Sequence, residues 1–318
     1  MQGIPGCPYI SPHDTVALTE RKLGAELPLV ISGVIWGSSF VTSKIGVEHM
    51  DPVLFSFLRY LFASLSIIPI LIFFKRFDRK VLTNKYIIAI SILNAVAMAL
   101  QNISMTMTTS TNAVLLININ IVFIALLAVL ILKEVLTRRT IAGLLLGMFG
   151  AFIITTNGSF DSLAGGNVLG NMIALISGLL WAFYVIYLTK ALHSGVDEVS
   201  ATLVTILYTM LALLPLSIVV QPSYAVDATA IGMAIYGGIM CTTVAFLLYN
   251  YGLRVLGATT ASVILLTEMV FGMFFSIIFL NEIPTVAIAI GAGLILIAVW
   301  IMSMKKKDGA VARPKIHE

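Results

Sequence analysis

Ten long apolar runs, each bounded by a short polar stretch, set the pattern of this chain. They fall at 28–47, 53–74, 86–107, 112–132, 139–157, 168–190, 199–220, 228–251, 256–280 and 285–304. A helix needs about 20 apolar residues to cross the hydrocarbon core, where no water serves backbone groups. Each run therefore predicts one membrane-spanning helix, and the expected fold class is an all-α integral membrane protein with ten transmembrane helices. The connectors carry turn residues, as at Asp51-Pro52, Asn157-Gly158, Gly165-Gly166 and Gln221-Pro222. Residues 1–27 are polar, with Pro5, Pro8 and Pro12, and read as a disordered cytoplasmic tail. The first run starts too far in, and lacks the small-residue end, for a removable signal. Residues 305–318 read as a basic cytoplasmic tail.

Composition agrees with the pattern. Apolar residues make up 59% of the chain and charged residues 11%, with a mean hydropathy of +1.03. Soluble domains carry roughly a quarter charged residues because something must face water, so the sides of this molecule face lipid. The net charge of +4 does not point to nucleic acid, because the basic residues sit in short loops rather than in a patch. With both termini in the cytoplasm, every Lys and Arg except Lys44 and Arg59 falls on the cytoplasmic side. Glu48, Asp51, Asp161, Asp227 and Glu282 fall outside. That segregation is what insertion requires, and it predicts a multi-pass protein of the cell membrane. Cys7 and Cys241 are too few for a disulfide framework and lack metal spacing.

The two halves of the chain repeat each other. ISGVIW at Ile31–Trp36 recurs as ISGLLW at Ile176–Trp181, and QNISMTMTTSTNAVLL from Gln101 aligns with YNYGLRVLGATTASVI from Tyr249. The second alignment pairs Asn102 with Asn250, and at the same offset Lys133-Glu134 falls on Asn281-Glu282. The repeats are 28–157 and 168–304, five helices each. An odd number of helices predicts that the second copy is inverted relative to the first, the arrangement that gives one fold two equivalent openings.

On these residues the chain resembles the drug/metabolite transporter superfamily, specifically its ten-helix EamA-like family, over 28–304. The clearest stretch is IWGSSFVTSKIGVEHMDPVLFSFLRY, Ile35–Tyr60, with Trp36-Gly37, Lys44, Pro52 and Arg59 in register; LILKEVLT and IIFLNEIPT look like the family's paired acidic signatures. The resemblance implies an exporter or exchanger of amino acids and other small metabolites that works without ATP. It also implies a central cavity lined by the first, third and fourth helices of each half. Proline often follows in the family where Ile121 and Met269 stand here, so a kink in helices four and nine is an open question.

Charges and amides inside the spans name the candidate site. Glu268 lies near the middle of the ninth run, where a carboxylate costs about 3 kcal/mol on insertion scales and each apolar neighbour gains only about 0.4 kcal/mol. It reads as a cavity group that binds an ammonium or exchanges a proton; a glutamate tying helices together is the bland alternative. Lys44 and Arg59, near the external ends of the first two helices and within reach of Glu48, suit an anionic ligand or else a structural ion pair. Asn94, Gln101 and Asn102 share a face of the third helix, and Asn250 lies on a similar face of the eighth with Phe246 and Thr243. Both faces are expected to line water. Asn118 and Asn120 lie about 200° apart on a regular helix, and Asn120 is favoured because it aligns with Glu268. Trp36, Phe40, Trp181 and Tyr184 suit an aromatic wall or simple packing. Gly33-x3-Gly37 and Gly143-x3-Gly147 have the spacing for close helix approach.

No nucleotide-binding loop GxxxxGK[ST] is present, and His13, His49, His193 and His317 lie in tails or loops. The chain is thus expected to be a secondary transporter, not an enzyme, with no cofactor and no metal. A membrane scaffold or lipid-handling protein is the alternative. The expected partners are a small-molecule substrate and the lipid bilayer, with no nucleic acid; assembly as a homodimer stays open.

Overall fold

The computed structural model describes residues 12–73, 77–108, 110–163, 167–219, 227–279, 283 and 285–304, with side chains from Gly24 onward except at 71–73, 110–111 and 162–163. The helices are α1 (Pro12–Glu48), α2 (Pro52–Phe73), α3 (Lys85–Met107), and α4, which runs as Ser110–Asn118 and Asn120–Leu127 before a π turn over Ala128–Leu132. They continue as α5 (Arg138–Thr156), α6 (Val168–His193), α7 (Glu198–Val219), and α8, which is Ala228–Gly238, a π turn over Ile239–Val244, and Ala245–Leu256. α9 is Ala258–Leu265 and Thr267–Phe279, and α10 is Val286–Ser303.

All ten contain a stretch long and apolar enough to cross a membrane, and they make a multi-pass membrane protein. Their outward faces carry large apolar side chains such as Leu130, Leu145, Phe149 and Trp300, which only lipid accepts at this density. Helix starts coincide with capping side chains in the connectors. Asp51 accepts from the N–H groups of Val53 and Leu54, and Asn84, Thr137, Asn167, Asp227 and Thr285 cap α3, α5, α6, α8 and α10. These side chains occupy N–H groups that a helix leaves free.

One expectation is corrected. The stretch expected to be a disordered tail is helical from Pro12, so α1 extends well before the apolar run. Pro12 suits a first helical position, where no N–H is needed, and Ala, Leu, Glu, Arg and Lys from Ala17 onward favour helix without being apolar. Residues 1–11 and 305–318 lie outside the described residues.

Packing follows the repeat. α3 lies on α6 and α5 on α10, α1 contacts both α8 and α9, α2 contacts α7 and α8, α3 contacts α7, and α4 contacts α6. Exchanging each helix with the one five places away returns the same set, as two halves about a pseudo-twofold axis would. Single bonds obey the same exchange. Ser32 Oγ on α1 donates to the Ala245 carbonyl of α8 at 3.0 Å, and Ser177 Oγ on α6 donates to the Ala97 carbonyl of α3 at 2.9 Å. Both serines are the second residue of the repeated hexapeptide.

Glycine sets the closest approaches. A Cβ at Gly37 would lie 2.7 Å from the Gly272 nitrogen and 2.9 Å from the Glu268 carbonyl, so α1 can lie directly on α9. A Cβ at Gly150 would lie 2.7 Å from the Gly291 carbonyl, and one at Gly291 the same distance from the Gly150 carbonyl. Forcing extra volume into such a contact costs about 1–3 kcal/mol. Gly150→Ala is therefore expected to lower the thermal midpoint of the detergent-solubilised protein. Gly293→Ala, where an added Cβ meets nothing within 4 Å, should leave it in place; equal midpoints for the two variants would contradict this packing.

Candidate substrate pathway

The site begins at the π turn of α8. There the Cys241 carbonyl accepts the Trp36 Nε1–H at 2.6 Å and an Arg59 Nη2–H at 3.3 Å. Arg59 Nε donates to Thr242 Oγ1 at 2.9 Å and Nη1 to Ser39 Oγ at 3.2 Å. One glycine makes this possible: a Cβ at Gly238 would lie 2.5 Å from the Arg59 carbonyl, whereas one at Gly237 would only touch the Arg59 side chain at 3.4 Å. α2 thus lies against α8 with its arginine spread across the bulged turn.

Arg59 is 7% exposed, and all three of its described bonds go to neutral oxygens. Of five guanidinium N–H donors, two stay unused. The ion pairs among the described residues are His49–Asp227 and Arg254–Glu198, neither of which involves Arg59 or Glu268. The positive charge is held in place without being cancelled.

Arg59 borders a chamber of about 90 Å³, whose walls include Trp36 and Phe40 from α1, Gln101 from α3, Asn120 from α4, Trp181 from α6 and Glu268 from α9. Glu268 has no hydrogen-bond or ion-pair partner among the described residues. Beyond the chamber, toward the end where α1 terminates, lies a vestibule of about 530 Å³ bordered by Lys44, Glu48, Thr106, Asn157 and Ser276. Phe40 and Met105 border both spaces and mark the neck between them. The opposite end of the bundle is filled by a buried apolar cluster that includes Leu29, Val81, Leu188, Leu192 and Leu253.

Asn120 and Glu268 border the chamber just past interruptions in their helices. Ile119 and Leu266 have ψ near −16°, and the Val122 N–H returns to the Ile119 carbonyl at 2.9 Å, as the Met269 N–H does to Leu266 at 3.0 Å. Each is a local tightening of the helix by a three-residue bond, and the Ile119 carbonyl also keeps the four-residue bond from the Phe123 N–H at 3.4 Å. Helices four and nine are thus interrupted without the proline. The break also corrects the expectation that Asn118 and Asn120 point apart, since both line the chamber.

The candidate residues divide into three groups. Trp36, Phe40, Arg59, Asn120, Trp181 and Glu268 come together at the chamber. Lys44 lines the vestibule with Glu48; Arg59, expected beside them, instead turns inward to α8. Asn102, Asn250 and Tyr184 do not border the chamber. Asn102 Nδ2 donates to Ser56 Oγ at 2.6 Å, Asn250 Nδ2 donates to Thr202 Oγ1 at 2.7 Å, and Tyr184 lies fully buried behind Trp181, ring centroids 4.9 Å apart. Asn94, also expected on a wet face, is buried with donor bonds to Tyr60 and Thr209. Sequence reading missed Ser39 and Ser43, which line the chamber. Their spacing from Trp36, three and seven residues, was the available signal. It also missed the Cys241 carbonyl, for which a sequence carries no signal.

The EamA-like transporter family model matches residues 24–156 and 168–304, one match per repeat. An uncharacterized transporter of Archaeoglobus fulgidus is 27% identical over 287 residues, 88% of this chain and 97% of its own length. The uncharacterized transporter YoaV of Bacillus subtilis is 22% identical over 86% of this chain and 95% of its own. A solved structure titled only as the crystal structure of a protein superposes with a TM-score of 0.72 at 16% identity, over 87% of this chain and 96% of that one; it shares the fold.

The division between lining and packing amides is open to direct test. Asn250→Ala should destabilise the protein by about 1–2 kcal/mol while leaving uptake per folded molecule unchanged. Asn120→Ala should do the reverse, altering uptake with the thermal midpoint within a degree or so of wild type. Uptake that responds to Asn250 and ignores Asn120 would reverse the assignment.

Proposed function

The chain belongs to the EamA-like transporter family, and we propose that it is a secondary, non-ATP exporter of small polar metabolites such as amino acids, working by alternating access, and not an enzyme. The observation that carries this reading is the presence of an uncancelled guanidinium and an unpaired carboxylate on the walls of one chamber. Each charge removed from water costs several kcal/mol unless something answers it. A zwitterion answers both, its carboxylate taking the two free N–H groups of Arg59 and its ammonium facing Glu268. Trp36, Phe40 and Trp181 give the apolar part of the ligand a wall, and Lys44 beside Glu48 meets it in the vestibule.

The segregation of Lys and Arg supports an orientation with both termini cytoplasmic in the cell membrane, which makes the vestibule face outward. The exchange symmetry of the helix contacts supports two inverted repeats, and hence a second, inward-facing arrangement of the same parts. Export is taken from the family resemblance. Small-molecule substrate and lipid are the partners of this reading, without nucleic acid; a homodimer is compatible with it. A scaffold or lipid-handling role gains no support from a charged chamber reached through an apolar neck.

The test is uptake of labelled amino acids into proteoliposomes with and without a pH gradient. Wild-type flux should respond to the gradient, and Glu268→Gln should abolish flux or make it independent of pH. Gradient-driven flux that survives the substitution unchanged would remove Glu268 from the mechanism.

A further inference from the structure

Glu134 joins the two repeats at the end of the bundle opposite the vestibule. The π turn of α4 ends at Lys133, whose φ of 56° is left-handed, and the Glu134 N–H returns to the Ala128 carbonyl at 3.1 Å. That conformation is uncommon outside glycine, and it turns the chain so that the Glu134 side chain reaches across to α9. Oε1 accepts the Ala258 N–H at 2.9 Å; Oε2 accepts the Thr259 hydroxyl at 2.8 Å and the Thr259 N–H at 3.4 Å.

These are the first residues of α9. The residue before them, Gly257, has φ 82° and no side chain to cap with, and a Cβ there would lie 2.9 Å from Glu134 Oε1. α3, α5, α6, α8 and α10 are capped by the residue that precedes them, whereas α9 takes its cap from the other repeat. A carboxylate at a helix N-terminus makes charge-assisted bonds to otherwise free N–H groups, so this is a strong link between two elements far apart in sequence.

The same two helices differ at their other ends. Near Glu134, Asn120–Leu127 of α4 packs on Ala258–Leu265 of α9. Beyond the breaks, the vestibule lies between Val114 on α4 and Met269 and Met273 on α9. Opening the closed end requires the first pair to separate, and the Glu134 bonds are the polar contacts that must break as they do.

We propose that Glu134 is a latch: its carboxylate, seated on the N-terminus of α9, holds the end opposite the vestibule shut, and its release lets that end open. The proposal concerns which end is open and does not depend on what is carried, so it can stand or fall apart from the substrate reading.

The test uses the full-length protein with Cys7 and Cys241 replaced by alanine, in sealed vesicles labelled from either side with a membrane-impermeant maleimide. Ser262→Cys, on the chamber wall, reports access from the latched end; Ser276→Cys, in the vestibule, reports the other. Glu134→Ala should raise labelling at 262 from the latched side about tenfold, as loss of bonds to a charged group implies, and lower labelling at 276. Glu134→Gln, which keeps an acceptor oxygen, should fall between. Thr259→Val removes only the hydroxyl bond and should raise labelling at 262 about two- to threefold, which keeps the test available where Glu134→Ala does not fold. Unchanged rates in the folded variants would overturn the proposal, and so would a parallel rise at both positions, which marks general loosening.

Discussion

An arginine enclosed among helices with no carboxylate beside it is the constraint around which this molecule is arranged. A buried charge is tolerated when a counter-ion cancels it or when fixed dipoles surround it. Arg59 uses the second solution, with Thr242 Oγ1, Ser39 Oγ and the Cys241 carbonyl as its neutral acceptors. That choice fixes neighbouring structure. α8 must bulge to turn the Cys241 carbonyl toward α1 and α2, and Gly238 must lack a side chain for α2 to come close. Trp36 must donate to the same carbonyl, which sets its ring against Phe246 and Tyr249 at centroid distances of 5.2 and 5.1 Å. A carboxylate in place of these dipoles would make a tighter knot and leave nothing for a ligand to answer.

Rigid and yielding contacts are distributed accordingly. α5 and α10 meet through Gly150 and Gly291, backbone against backbone, and α1 meets α9 through Gly37 and Gly272. Interfaces this close slide or separate only at the loss of many short contacts at once. α4 and α9, by contrast, are each interrupted at one residue, Ile119 and Leu266. These interruptions lie beside Asn120 and Glu268, which line the chamber.

The fold was more legible than the site. Ten spans, two repeats and the close approach at Gly37 follow from features with local physical signatures: the length of an apolar run, a repeated hexapeptide, small residues four apart; the Gly150–Gly291 contact carried no such spacing. The breaks in α4 and α9 were not legible because no proline marks them; Ile119 and Leu266 are ordinary helix residues whose turn is fixed by what surrounds them. Asn102, Asn250 and Tyr184 show a second limit. An amide or phenol in a span signals that it avoids lipid, and burial against another helix takes it out of lipid as a cavity does, even where the Asn250 Oδ1 and the Tyr184 hydroxyl are left without a hydrogen-bond partner among the described residues. Arg59 shows a third. Its charge was visible, but its partners are a carbonyl and two hydroxyls on other helices, and carbonyls are present at every residue. The helical start of the chain was misread because proline and charge were taken for disorder, although a helix outside the membrane needs neither apolar residues nor an absence of charge.

The relation of chamber to vestibule bears on where selection occurs. The vestibule is wide, about 530 Å³, and its neck toward the chamber is Phe40 and Met105, which offer a polar solute nothing in exchange for its water. For the zwitterionic ligand proposed above, passing that neck would cost hydration, and the chamber beyond, with Arg59, Glu268, Asn120 and Gln101 on its walls, would return the loss. A solute with one charge recovers part of the cost and leaves one wall unanswered; a hydrocarbon recovers none from the polar wall. On the proposed transport reading, discrimination belongs to the chamber, where electrostatic differences are largest once water is shed, and the vestibule gathers solutes without choosing among them.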